Sequence, residues 1–183
     1  ADWLLHSFAH ARDLLAQTDC GPAISMAITK TQLLLEADNA SICLVDNGIS
    51  AVQHVLTAGK STASPVIAPA GDWLPYQQFN ECTTVHRHGA CPNCRLLPDV
   101  EWCASAPLYV GDRQIGMLCA MRKREQLPFG AQQLRLLQNL AGWTSVAIGN
   151  ARRLATLRET QRSERERIAA HLHDNAAQFL SII

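Results

Sequence analysis

Three residues near the end of the chain could do chemistry together: His173, Asp174 and Gln178, in the run Ile168-Ala-Ala-His-Leu-His-Asp-Asn-Ala-Ala-Gln-Phe-Leu180. On a helix, residues four apart lie one above the other, so Asp174 and Gln178 share a face, with His173 one step round from Asp174. An exposed imidazole beside a carboxylate that takes or orients its proton is a nucleophile suited to accepting a phosphoryl group. The amide of Gln178, one turn on, suits the reverse step, placing a water for hydrolysis of a phosphohistidine. A second set is sulfur-based. Cys82, Cys91, Cys94 and Cys103 are spaced Cys-x8-Cys-x2-Cys-x8-Cys, and Cys91-Pro-Asn-Cys94 is a turn able to present two thiolates to one metal. Zinc or an iron–sulfur cluster would accept four such ligands, with His86 or His88 near enough to replace one. Three readings stay open for this set: a bound metal, a disulfide (Cys91–Cys94 or Cys82–Cys103), or thiols that remain unpaired. Cys103 falls in a predicted strand, and there the bland reading is a small core residue like Cys20, Cys43 and Cys119.

The histidine run needs a helix, and the apolar residues around it supply one. Ile168, Leu172, Phe179 and Ile182, with Asn175 between them, follow one another in steps of four and three, the seam of a left-handed coiled coil or four-helix bundle. His173 and Asp174 then come just after a seam residue, turned to solvent. The stretch Glu166 to Leu180 resembles the dimerisation and phosphoacceptor helix of two-component sensor histidine kinases, in the subfamily with the motif His-Asp-x-x-x-Gln. That resemblance assigns the acceptor to His173, the acidic general base to Asp174 and the phosphatase glutamine to Gln178. His171 stands where the family usually carries Glu, so the choice of His173 rests on the Asp that follows it.

Composition limits what else the chain could be. Lys plus Arg and Asp plus Glu number 16 each among 183 residues, which argues against binding nucleic acid or a membrane surface through bulk charge. The charges gather between Arg152 and Arg167 with alternating sign, the pattern of a solvated helix face. Hydrophobic residues make up 48% of the chain, enough for a core, yet no run of about 18 apolar residues could span a bilayer. Seven cysteines, an odd number, fit a reducing cytoplasmic setting better than a secreted disulfide framework.

The elements that must position these groups can be read in outline. Residues 2–16 and 23–36 carry apolar residues at helical spacing, parted by the breaker Cys20-Gly-Pro22. Residues 40–46 form a short β-rich run, and Asp46-Asn-Gly48 signals a hairpin into residues 49–56. Residues 59–71 read as a loop and 82–98 as irregular. A second hairpin joins residues 101–110 to 114–122 through Gly111-Asp112. Beyond Gly130 the spacing of Leu134, Leu137, Leu140, Ala141, Val146, Ile148 and Leu154 is helical, and the stripe from Leu134 to Ile148 reads as the face packed on the sheet. The C-terminal element is either one rod of more than 50 residues or two helices broken near residues 156–166, where the stripe thins.

The order α-β-β-loop-β-β-α implies an α+β fold, an antiparallel sheet flanked by helices with a long C-terminal signalling helix. Ser105 to Leu118, Phe129 to Ala141 and Ala147-Ile-Gly-Asn-Ala151 resemble the C-terminal half of a GAF domain. The organisation expected is therefore a GAF-like relay domain over residues 1–150 with a cysteine-bearing loop at 82–103, a helical connector at 151–166, and the start of a phosphotransfer helix at 167–183. A cysteine-bearing GAF-like domain ahead of this helix resembles the nitrate/nitrite sensor type of histidine kinase. That resemblance implies autophosphorylation on histidine in a full-length parent, transfer to a response regulator, a homodimer formed through the C-terminal helices, and a place as the cytoplasmic portion of a bacterial inner-membrane protein. ATP would bind outside these residues, and the fragment alone is expected to be inactive. Two other functions fit a GAF-like fold: a thiol enzyme resembling methionine sulfoxide reductases, and a ligand-free dimerisation scaffold.

Overall fold

A computed structural model describes the backbone of residues 11–45, 52–58, 61–63, 83–86, 100–123 and 125–180, and the side chains of 11–44, 100–123 and 125–172. Two helical pieces come first. The described part of α1 is residues 11–15, and α2 is Cys20–Leu34. The expected breaker Cys20-Gly-Pro22 is instead the first turn of α2. Proline is tolerated there because the first-turn amides have no intrahelical acceptor, and Asp19 precedes it in extended conformation. Ala23, Ile24, Ala27, Ile28 and Thr31 form the buried face of α2. The helix ends where Glu36 turns to φ +49, with the Glu36 and Ala37 amides donating to the Leu33 and Gln32 carbonyls in a Schellman arrangement.

Six strands follow: β1 Asn39–Val45, β2 Val52–Ala58, β3 Ser61–Ala63, β4 Thr83–His86, β5 Val100–Val110 and β6 Arg113–Lys123. They form one sheet in the order β3-β2-β1-β6-β5-β4, with antiparallel pairing throughout. Both expected hairpins are present. The turn residues 46–51 of the first lie outside the described residues, while Gly111 of the second takes φ +61, a value glycine adopts without strain. Two expectations are corrected: Ser61–Ala63, assigned to a loop, pairs with β2, and Thr83–His86, read as irregular, pairs with β5. His86 is thus a strand residue set opposite Trp102 rather than a loop residue.

One face of the sheet carries the helices. Leu14, Ile28, Ile42, Ala106, Leu108, Leu118, Leu137, Leu140 and Ile148 are buried in a single cluster between α1, α2, the sheet and the C-terminal helix α3, Ala131–Leu180. This last helix is continuous for 50 residues, so the alternative of two helices broken near 156–166 falls away. Its seat on the sheet is close. The Tyr109 amide donates to Ser145 Oγ at 3.0 Å, and Gly149 meets Val110 where an added Cβ would come within 3.4 Å. Val146 and Leu154, expected at the packed stripe or its continuation, are instead on the outer side and exposed.

The start of α3 is locked to the end of α2 by Arg122, a buried side chain at the end of β6. Its Nη2 donates to the Leu35 carbonyl at 2.8 Å, its Nη1 to the Leu127 carbonyl at 3.0 Å, and the guanidinium lies 4.3 Å from the centre of the Phe129 ring. Gln133 completes the junction: its Oε1 accepts from the Gly130 amide, capping α3, while its Nε2 reaches Leu35 O. Arg122→Leu should lower unfolding free energy by about 2–3 kcal/mol because buried carbonyls lose their donor. Arg122→Lys should recover less than half of that, since an ammonium cannot fork to two carbonyls. Urea titration followed by circular dichroism measures both.

Candidate functional site

The histidine run sits on the far part of α3. The backbone of His173, Asp174 and Gln178 is helical, which puts Asp174 and Gln178 one turn apart; their side chains lie outside those described. The flanking seam residues are described through Leu172. Ile168 and Leu172 are exposed, with no contact to the domain core, so the helix leaves the domain before it reaches the histidine.

The approach to that run is a charged, solvated surface. Arg162 Nε donates to Glu166 at 2.9 Å, and Arg167 donates to both Glu164 oxygens at 2.9 and 2.7 Å. The Arg167 hydrogen bonds hold the Glu164 carboxyl below its ordinary value and raise the Arg167 guanidinium above its own. These pairs span one helical turn and support a helix that has no core to pack on. A link back to the domain comes from Arg158, whose Nη1 lies 3.0 Å from Asp19 Oδ1 at the start of α2.

The sulfur-based set divides. Cys82, Cys91 and Cys94 lie outside the described residues, as does His88. Cys103 is in β5 and fully buried, its Sγ 3.7 Å from Ser105 Oγ, which lies 3.5 Å from Cys119 Sγ. Among the described residues no three His, Cys, Asp or Glu side chains gather as metal ligands. Sequence reasoning placed Cys43, Cys103 and Cys119 separately in the core. The register puts them on one face. Cys43 is opposite Met117, Cys103 opposite Met121, and Cys119 opposite Ser41 on one side and Ser105 on the other. These residues belong to the side of the sheet turned away from the helices, because Ile42, Leu44, Ala104, Ala106, Leu118 and Ala120 fill the helix side. Its sulfur and hydroxyl groups are buried nonetheless, and Ser41 Oγ has no hydrogen-bond partner. Strand alternation carried the signal for this face, but only after β1 was known to pair with β6.

A six-stranded antiparallel sheet with helices on one face, buried sulfur-bearing side chains on the other and a long helix leaving the domain is the architecture of a domain class found in sensor kinases and other signalling proteins. Residues 23–150 match the family model of the GAF domain, and the chain belongs to that family. Among solved structures it is similar to a bacteriophytochrome from R. palustris, with TM-score 0.69 and 13% identity over 90% of this chain and 41% of that one. The GAF domain of an Acinetobacter phosphoenolpyruvate-protein phosphotransferase gives TM-score 0.65 and 16% identity, covering 83% and 96% of the two chains. The GAF domain of a two-component sensor histidine kinase from Bacillus halodurans gives 0.57 and 19%, covering 70% and 92%. These likenesses share the fold. No curated protein matches the chain, and no helix among the described residues is long and apolar enough to cross a membrane.

Burial sets the expected reactivity of the thiols. In the native protein an aromatic disulfide reagent should leave Cys43, Cys103 and Cys119 unmodified while the half-exposed Cys20 reacts, and denaturant should release all three. Mass spectrometry of the labelled peptides reads the difference.

Proposed function

We propose that this chain is the signal-relay and phosphoacceptor part of a two-component sensor histidine kinase, with His173 as the acceptor. The observation that carries this reading is a single unbroken helix that begins on a GAF domain and holds the His-Asp-x-x-x-Gln sequence in helical backbone at its far end. The chemistry divides among three side chains. A ring nitrogen of His173 would attack the γ-phosphorus of ATP held by a kinase domain, forming the N–P bond as the P–O bond to the β-phosphate breaks and ADP leaves. Asp174 takes or orients the proton on the imidazole, leaving the attacking nitrogen with its lone pair. Gln178 orients a water for the reverse reaction. The phosphoryl group then passes to an aspartate of a response regulator. In the intact protein a stimulus changes the rotation or stagger of the paired helices that leave the GAF domain, and so alters access of the ATP-bearing domain to His173.

The finer parts of the proposal are a parent of the nitrate/nitrite sensor type, held at the bacterial inner membrane by other segments and facing the cytoplasm, and a zinc ion or iron–sulfur cluster on Cys82, Cys91, Cys94 and Cys103. Thiolate ligation of that kind would fix the loop chemistry to the sheet through Cys103, the one member whose place is described. Elemental analysis and an absorption spectrum of anaerobically purified protein test it.

In the full-length protein, His173→Gln should abolish labelling from radioactive ATP, and continued labelling would remove His173 from the role. Gln178→Ala should slow dephosphorylation of the regulator roughly tenfold or more while leaving autophosphorylation within about twofold. Equal loss of both activities would reject the water-positioning role.

A further inference from the structure

Asp174 has a second histidine on its own face of the helix. The backbone of α3 is helical without a break through Leu180, so the angular places of its residues follow from about 100° per residue. His173 stands about 100° round from Asp174. His171 stands only about 60° from it, on the other side and one turn back, and Gln178 falls within about 20° of His171. Residues three and four apart meet on a helix surface, whereas neighbours in sequence diverge. Asp174 is therefore flanked by two imidazole-bearing positions, and the one a full turn away on its own face is His171.

The surroundings of His171 leave that contact open. Residues 153–172 are exposed, so no described element packs on this part of the helix. The charged residues on the His171 side are those of α3 alone: Arg167 one turn before it, Glu164 two turns before it and Asp174 one turn after it. Arg167 is already engaged, since its Nε and Nη2 donate to the two Glu164 oxygens at 2.9 and 2.7 Å. That guanidinium is committed to the N-terminal side of His171, and Asp174 is the charged neighbour on the side of the site.

We infer that His171 is a positioning residue for the phosphoacceptor step, orienting Asp174 and passing on the proton that Asp174 takes from His173. This rests on the proposed role of His173 and adds a third group behind its base, the recurring arrangement behind an activated nucleophile. As one ring nitrogen of His173 bonds to the γ-phosphorus and the P–O bond to ADP breaks, the proton on the other ring nitrogen moves to the Asp174 carboxylate. Neutral His171 accepts it from Asp174 on a free ring nitrogen and releases it to water. Both side chains return to their starting states, and the products are phosphohistidine, ADP and a proton. Protonated His171 has no lone pair to offer, so the relay closes as acid is added through the range where histidine changes charge, between about pH 5 and 8.

Single-turnover labelling from radioactive ATP in the full-length protein tests this, followed across that range of pH, with circular dichroism confirming that each variant at this exposed position keeps its helix. The unaltered rate should fall toward acid more steeply than one proton allows, because His171 and His173 must both be neutral. His171→Gln should slow transfer roughly tenfold near pH 8, follow a one-proton curve, and come within about twofold of the unaltered rate near pH 5.5. His171→Glu should restore most of the rate near pH 8 and stay ahead of His171→Gln near pH 5.5, since a carboxylate is still an acceptor there. A glutamine variant with the unaltered rate and slope, or a glutamate variant no faster than the glutamine one, would overturn the relay. Labelling lost in His171→Gln at every pH but kept in His173→Gln would make His171 the acceptor and overturn both readings. Labelling lost in His173→Gln while His171→Gln matches the unaltered protein would sink this inference alone and leave the acceptor assignment standing.

Discussion

The whole arrangement depends on a buried guanidinium that has backbone carbonyls rather than a carboxylate for partners. Arg122 sits where three things must meet: the carbonyl that ends α2, the loop that leads out of β6, and the ring that precedes α3. Hydrogen bonds from an ionised donor are stronger than neutral ones, and a buried site with little water to compete keeps them so. The direction in which α3 leaves the domain is therefore set at its first turn, by Arg122 and by the Gln133 cap. Ser145 and Gly149 then keep it against β5.

Much of this was legible from residues alone, for identifiable reasons. The β5–β6 hairpin announced itself through long apolar strands on either side of Gly111-Asp112; β6 is buried without a break from Ile115 to Arg122 and β5 from Cys103 to Ala106. The helices followed from the spacing of their apolar residues. Strands β3 and β4 were missed because three or four residues are too few to show alternation, and at the sheet edges they owe their conformation to ladder bonds with β2 and β5. Cys20-Gly-Pro22 misled because glycine and proline punctuate starts as well as stops; only the extended Asp19 before them distinguishes the two.

The candidate site divides along the same line. His173, Asp174 and Gln178 form a local pattern, and a helix guarantees their relation. The sulfur-bearing sheet face is a non-local pattern: Cys43, Cys103 and Cys119 come from three strands, and their common side depends on β1 lying beside β6, a crossover no local spacing reports. The outer stripe of α3 was misread for a subtler reason. Val146 was grouped with the buried residues around it although it lies five residues after Ala141 and two before Ile148, steps that carry it to another side of the helix, and the burial of those two against its own exposure separates the faces.

The placement of those two faces has a mechanical consequence. Because the inner side of α3 is seated on the sheet and the outer side lies nearly opposite, the helix cannot spin within its domain without tearing leucines from the core. Any torque must turn the sheet and the stripe together, as a wrench and its bolt. The Asp19–Arg158 bridge ties α3 to the start of α2 near the point where the helix runs clear of the core, so even there the shaft is tethered to the head it grows from.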